Sequence, residues 1–149
     1  MANVNIPKRI TLRSYQVGFG DCFLLIFQYE DKTEKFILFD FGTTGLPDKF
    51  PDDQMLRVAK NIKERCNGKL DVIIATHRHK DHISGFSTEG IKDPLLKKSS
   101  GEIIAECEPE LVIQPWTENP ALAESAKNTQ NLIDIQTLKD NEKNHSFQD

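Results

Sequence analysis

Between Thr76 and Phe86 the chain reads Thr-His-Arg-His-Lys-Asp-His-Ile-Ser-Gly-Phe, which sets three of its four histidines and a carboxylate within the six positions His77 to His82. Imidazole nitrogen and carboxylate oxygen are donors that suit zinc, and also iron or manganese, whereas a closed structural zinc would call for cysteines. A catalytic metal site is therefore a better reading of such a set than a structural one. Side chains alternate along an extended chain, so if this segment stays extended His77 and His79 project to one side and can converge on one ion. Asp81 and His82 then come from the turn beyond. A lone His-x-His would be equally at home in a solvated basic turn beside Arg78 and Lys80; Asp81, His82 and the apolar strand feeding the loop move the reading to a metal site.

The elements that must position these residues follow from apolar spacing. Val72-Ile73-Ile74-Ala75 leads directly into the histidines, and Leu70 to Ala75 reads as a short strand. Before it, Met55, Val58, Ala59, Ile62 and Cys66 recur at steps of three and four, which predicts an amphipathic helix over about 54–66, capped by Asp52 or Asp53 and ended by Asn67-Gly68. Arg9 to Val17, with Ile10 and Leu12 on one side, reads as an edge-type strand. Cys22 to Tyr29, apolar nearly throughout, reads as a strand covered on both faces, joined through the polar turn Glu30-Asp31-Lys32-Thr33 to a strand over Lys35 to Phe41. That second strand delivers Asp40 to its carboxyl end, and a buried carboxylate needs hydrogen-bond donors or a cation. Residues 43–53 are a loop long enough to wall a cleft. After the histidines, Ile91 to Lys98 and Gly101 to Cys107 are expected as short helices, Leu111 to Ile113 as a strand, and about 119–139 as a helix begun by Asn119-Pro120. A helix leading into a strand after a strand run predicts an α/β class with a mixed sheet and helices on one face.

Thr-His-x-His-x-Asp-His after an apolar strand resembles the signature of the metallo-β-lactamase superfamily of metal-dependent hydrolases. Val17-Gly18-Phe19-Gly20-Asp21 is similar to a segment of its competence-protein-like branch, and Phe36 to Gly42 resembles the strand ending in Asp-x-Gly. The likeness covers about residues 10–116. It implies the amino-terminal half of an αββα sandwich, in a single domain over 1–149 that supplies one of two similar halves. It also implies one or two zinc ions, with His77 and His79 serving one and Asp81 and His82 the other, Asp81 also orienting the attacking water. Asp40 would brace the metal loop from behind, and His145-Ser146 could match the next ligand segment. The expected function is hydrolysis by a metal-activated water, with phosphodiester, thioester and lactam all open and a phosphodiester slightly favoured. The alternative is a non-catalytic remnant that binds a metal or a partner. A chain supplying one half should have little activity by itself, and it should leave apolar surface from Cys22 to Phe27 and Val72 to Ala75 free for self-association or docking with a second half-domain.

Composition bounds the rest. No apolar run approaches the length that crosses a bilayer, and the amino terminus lacks a signal-type apolar core, so a soluble, cytoplasmic protein without membrane partners is expected. Cys22, Cys66 and Cys107 are odd in number and at no metal spacing, which reads as reduced, packed thiols. A net charge of −4 excludes a global positive field for nucleic acid. It does not exclude a phosphodiester substrate, because a bound ion supplies positive charge locally.

Overall fold

The computed structural model describes residues 5–114; the expected helix over about 119–139 and His145 lie outside them. Five strands form one mixed sheet in chain order: β1 (Arg9–Ser14), β2 (Phe23–Gln28), β3 (Glu34–Phe39), β4 (Val72–Ile74) and β5 (Leu111–Ile113). The β1–β2 and β2–β3 pairs are antiparallel, while β3, β4 and β5 are mutually parallel. The parallel steps need crossovers. α1 (Gln54–Arg65) bridges β3 to β4, and α2 (Lys80–Ile83), a 3-10 turn at Ser84–Phe86 and α3 (Ser100–Ala105) bridge β4 to β5. This is the expected α/β class with a mixed sheet. Among the described residues no helix is long and apolar enough to cross a membrane.

Alternation decides which side of the sheet carries the helices. Leu24, Ile26, Phe36, Leu38 and Ile73 point to one face and are buried together with Leu56, Val58, Ala59 and Ile62 of α1 and Ile103 and Ile104 of α3. The two helices are also tied to each other by the Lys63–Glu106 ion pair at 2.7 Å. The other face carries no helix among the described residues, and this corrects one expectation. β2 is covered on one face, with Phe23, Leu25 and Phe27 part-exposed on the other. Ile10 and Leu12 share a side as expected, but it is the open one, and both are exposed.

Local chemistry sets the ends. The β2–β3 hairpin is closed by Asp31, whose Oδ1 accepts the Thr33 N–H at 3.0 Å, with Lys32 in the left-handed region. α1 ends where Asn67 and Gly68 both turn to positive φ and the Gly68 N–H reaches the Lys63 carbonyl at 2.8 Å. At its start, Asp53 occupies the cap position but makes no capping bond; its carboxylate pairs with Arg57 at 2.7 Å instead. Ile91 to Lys98 is not helical. Asp93 is buried, and its Oδ1 accepts the N–H groups of Leu95 (2.9 Å) and Leu96 (2.6 Å) while Lys60 pairs with Oδ2, so a local turn takes the donors a helix would use. Those backbone bonds, with Lys60, hold the Asp93 carboxyl below its ordinary range.

α3 begins on a capping box. Ser99 Oγ accepts the Glu102 N–H (3.2 Å) and Glu102 Oε2 accepts the Ser99 N–H (2.7 Å). Ser99→Ala should cost about 1 kcal/mol in a urea titration. The bond from the Ser99 N–H also lowers the Glu102 pKa. Its contribution is therefore full above the ordinary glutamate range and fades as the pH falls through the lowered value. The three cysteines are buried and unpaired by disulfides. Each thiol donates to a backbone carbonyl, Cys66 to Lys63 and Cys107 to Ile103, and the interaction between the two sulfurs draws the Cys66 thiol below its ordinary range and, with burial, pushes that of Cys107 up.

Candidate metal centre

Three loops meet at the carboxyl ends of β3 and β4. One carries Gly18 to Asp21, the second Asp40 to Thr43, and the third runs from Thr76 through α2. Backbone bonds lace them together: Asp21 N–H to the Asp81 carbonyl (3.0 Å), Gly42 N–H to Asp21 (3.1 Å), Phe41 N–H to His82 (2.7 Å) and Gly85 N–H to Phe41 (2.8 Å). Beneath them Phe41 and Phe86 pack edge to face at 5.5 Å. The approach is close enough to exclude side chains. A Cβ on Gly20 would lie 2.2 Å from the Gly42 carbonyl oxygen, and one on Gly42 would lie 2.5 Å from the Ile83 nitrogen. The glycines of the Gly18-Phe19-Gly20 turn, which in the sequence look like a simple strand connection, are thus part of what seats the histidine loop.

His77, Asp81 and His82 come together so that one ligand atom from each lies within 4.8 Å of the others. His82 Nε2 and Asp81 Oδ2 are 3.3 Å apart. Neighbouring ligand atoms of a tetrahedral ion with bonds of about 2.0–2.1 Å stand roughly 3.3 Å apart, so this pair has the spacing of two donors to one ion. His79 is not in the group. It sits at the cap position of α2, exposed, with its ring perpendicular to that of His77 at 4.7 Å. His79 keeps the extended backbone the sequence suggested and its ring stays beside that of His77, and the backbone turns into α2 directly after it. That turn brings Asp81 and His82 round to His77.

Hydrogen bonds set the imidazole tautomers. Asp40 is buried, and its Oδ1 accepts the Thr76 N–H (2.8 Å), while Oδ2 lies 2.8 Å from Thr76 Oγ1 and 2.9 Å from His82 Nδ1. An ionised carboxylate only accepts, so the Thr76 hydroxyl and the His82 Nδ1–H both donate to it. The Thr76 oxygen is left to accept from His77 Nδ1, 3.0 Å away. Both rings are thereby held with Nδ1 protonated and the Nε2 lone pair free, which is the form that ligates an ion. Asp21 adds a second carboxylate, its Oδ2 3.6 Å from His82 Nδ1. Thr76 is the residue that reading the sequence missed. The available signal was a hydroxyl residue at the strand end, immediately before the first histidine.

An open cleft of about 690 Å³ adjoins α2, lined among others by Thr43, Gly45, Asp53, Lys80 and Ser84 and by none of His77, Asp81 and His82. The 43–53 loop does form part of its wall. Thr43 and Ser84 lock that wall to α2, the Ser84 Oγ accepting the Thr43 N–H and donating to the Thr43 carbonyl, both at 2.8 Å. Compared with protein-family models, curated proteins and solved structures, the chain matches none.

Proposed function

We propose that this chain carries the metal-binding layer of a metal-dependent hydrolase of metallo-β-lactamase type, with zinc held by His77, Asp81 and His82. The observation that supports it most is the joint orientation of His77 and His82 through their Nδ1 atoms by the Asp40–Thr76 bridge, which leaves the His82 Nε2 beside the Asp81 carboxylate and His77 within the same group. Three protein ligands with a position left open is the donor count of catalytic zinc. When bound, the ion supplies Lewis acidity, polarising the bond under attack and acidifying a water at neutral pH. Asp40 and Thr76 hold the rings, and Asp81 completes the donor set and is placed to accept a proton. The substrate class is proposed as an ester-type bond, with a phosphodiester first.

The test is a zinc titration against a chromophoric chelator, paired with a panel of phosphodiester, thioester and lactam substrates. His77→Ala is expected to weaken zinc binding by about 100-fold, on the scale of the free energy that each of the ligands of a structural zinc contributes. His79→Ala, which removes no member of the convergent group, should change it far less. Equal zinc affinity in His77→Ala and the parent chain would end the assignment. Zinc binding without turnover on any substrate in the panel would leave a metal-binding module.

A further inference from the structure

We propose that the open face of the sheet is a self-association surface on which two copies of this chain pack sheet against sheet. The register sets Leu12, Leu25, Ile37, Val72 and Leu111 side by side in one row across all five strands. The next row holds Phe23, Phe39, Ile74 and Ile113, with Ser14 as its polar end. Ile10 and Phe27 begin a third row that ends at Lys35, and that ammonium is engaged by Asp71. Leu12 is 62% exposed and Leu111 43%, and the residues between them are part-exposed. A soluble monomer seldom leaves so continuous an apolar surface in water.

Extent and shape select the occupant. Three strands of six residues and two of three, about 4.8 Å apart and rising about 3.4 Å per residue, make a flat footprint of about 400 Å². Side chains roughen that plane, so the accessible area is on the order of 600–800 Å² per copy, and a symmetric pair reaches about 1,200–1,600 Å², the range of stable interfaces. A single helix, about 10 Å across, would cover only a band of the face. A second sheet stacked about 10 Å away covers every row. The chain itself presents such a sheet, and a two-fold axis near β3 sets the face against its own copy, with α1 and α3 on the two outer sides. This inference stands on the strand register and is independent of the metal centre.

Sedimentation velocity on the full chain tests it. The expected result is a dimer whose population rises with concentration and which Ile37→Lys, at the middle of the face, weakens at least about tenfold. Leu12→Lys, on the exposed edge strand, guards against an Ile37 variant that fails to fold; it should weaken the dimer while the circular dichroism spectrum is unchanged. A monomer at every concentration overturns the proposal. A hydrophobic dye then separates a bare face, which binds it, from one covered by residues 115–149, which excludes it. A dimer that survives both substitutions also overturns it, since the contact then lies elsewhere.

Discussion

Asp40→Ala is expected to destabilise the chain by about 3–5 kcal/mol and to weaken zinc binding by roughly 10- to 100-fold. Asp40 is 3% exposed and accepts from the Thr76 N–H, the Thr76 hydroxyl and His82 Nδ1. Truncation leaves the part-buried Thr76 N–H and His82 Nδ1–H without their acceptor, each such loss costing about 1–3 kcal/mol, while the Thr76 hydroxyl, on an exposed residue, can turn to water. Alanine would also have to hold the left-handed φ of +51° that Asp40 adopts, where a short polar side chain is better tolerated. Asp40→Asn separates the two effects. Its carbonyl oxygen can still accept from the Thr76 N–H, but its amide cannot accept from His82, so zinc affinity should fall with a smaller loss of stability. Urea titrations and chelator competition on both variants make the comparison. Unchanged zinc affinity in Asp40→Asn would show that something other than this carboxylate orients His82.

Gly42→Ala is expected to cost about 4 kcal/mol or more, a large share of the 5–15 kcal/mol that holds a domain folded. The added Cβ would stand 2.5 Å from the Ile83 nitrogen and 2.6 Å from the carbonyl carbons of Asp81 and His82. All three are backbone atoms, so no rotamer change relieves the clash, and ordinary overpacking at about 1–3 kcal/mol is a lower bound. The segment cannot swing away, because Phe41 N–H and Gly42 N–H are bonded to His82 and Asp21 on either side. Whatever relief occurs must push α2 outward and take Asp81 and His82 with it, so zinc affinity falls together with the unfolding midpoint. Gly45→Ala is the control. Its Cβ would meet only Phe19 Cδ2 at 4.0 Å, and a change within about 0.5 kcal/mol is expected. A Gly42→Ala midpoint equal to that of Gly45→Ala would contradict the close apposition of the loops.

Elements whose period stands out were legible in the sequence. α1 follows from Val58, Ala59, Ile62 and Cys66, and the hairpin from two apolar runs around Asp31-Lys32. What the pattern could not say is which face of the sheet is covered. Alternation groups Ile10 with Leu12, but nothing in residues 9–14 tells whether helices lie above them or below. The run Cys22 to Phe27 looks doubly covered because it is apolar on both sides, and one of those sides is open among the described residues. Ile91 to Lys98 has helix-like apolar content, yet Asp93 followed by proline favours the turn it makes with Leu95 and Leu96. At the metal centre the donor types and their crowding were legible, whereas their grouping was not. It depends on one backbone turn after His79 and on contacts from Gly20 and Gly42, more than thirty residues away in the chain.

The strands lie across the sheet in the order in which they occur along the chain. A ribosome releasing this chain at about 5–20 residues per second would therefore lay down each strand beside one that has already emerged. Among the described strands none has to be inserted between two that are already paired, and the β1–β2–β3 meander can close in microseconds while the following segment is still being made. Asp21, Asp40 and the His77 to His82 loop all precede β5, so every group of the proposed metal centre has been synthesised before the last described strand exists. Capture of an ion by the nascent chain would then lock three loops together early, and β5 would be added to a sheet whose histidine cluster is already rigid.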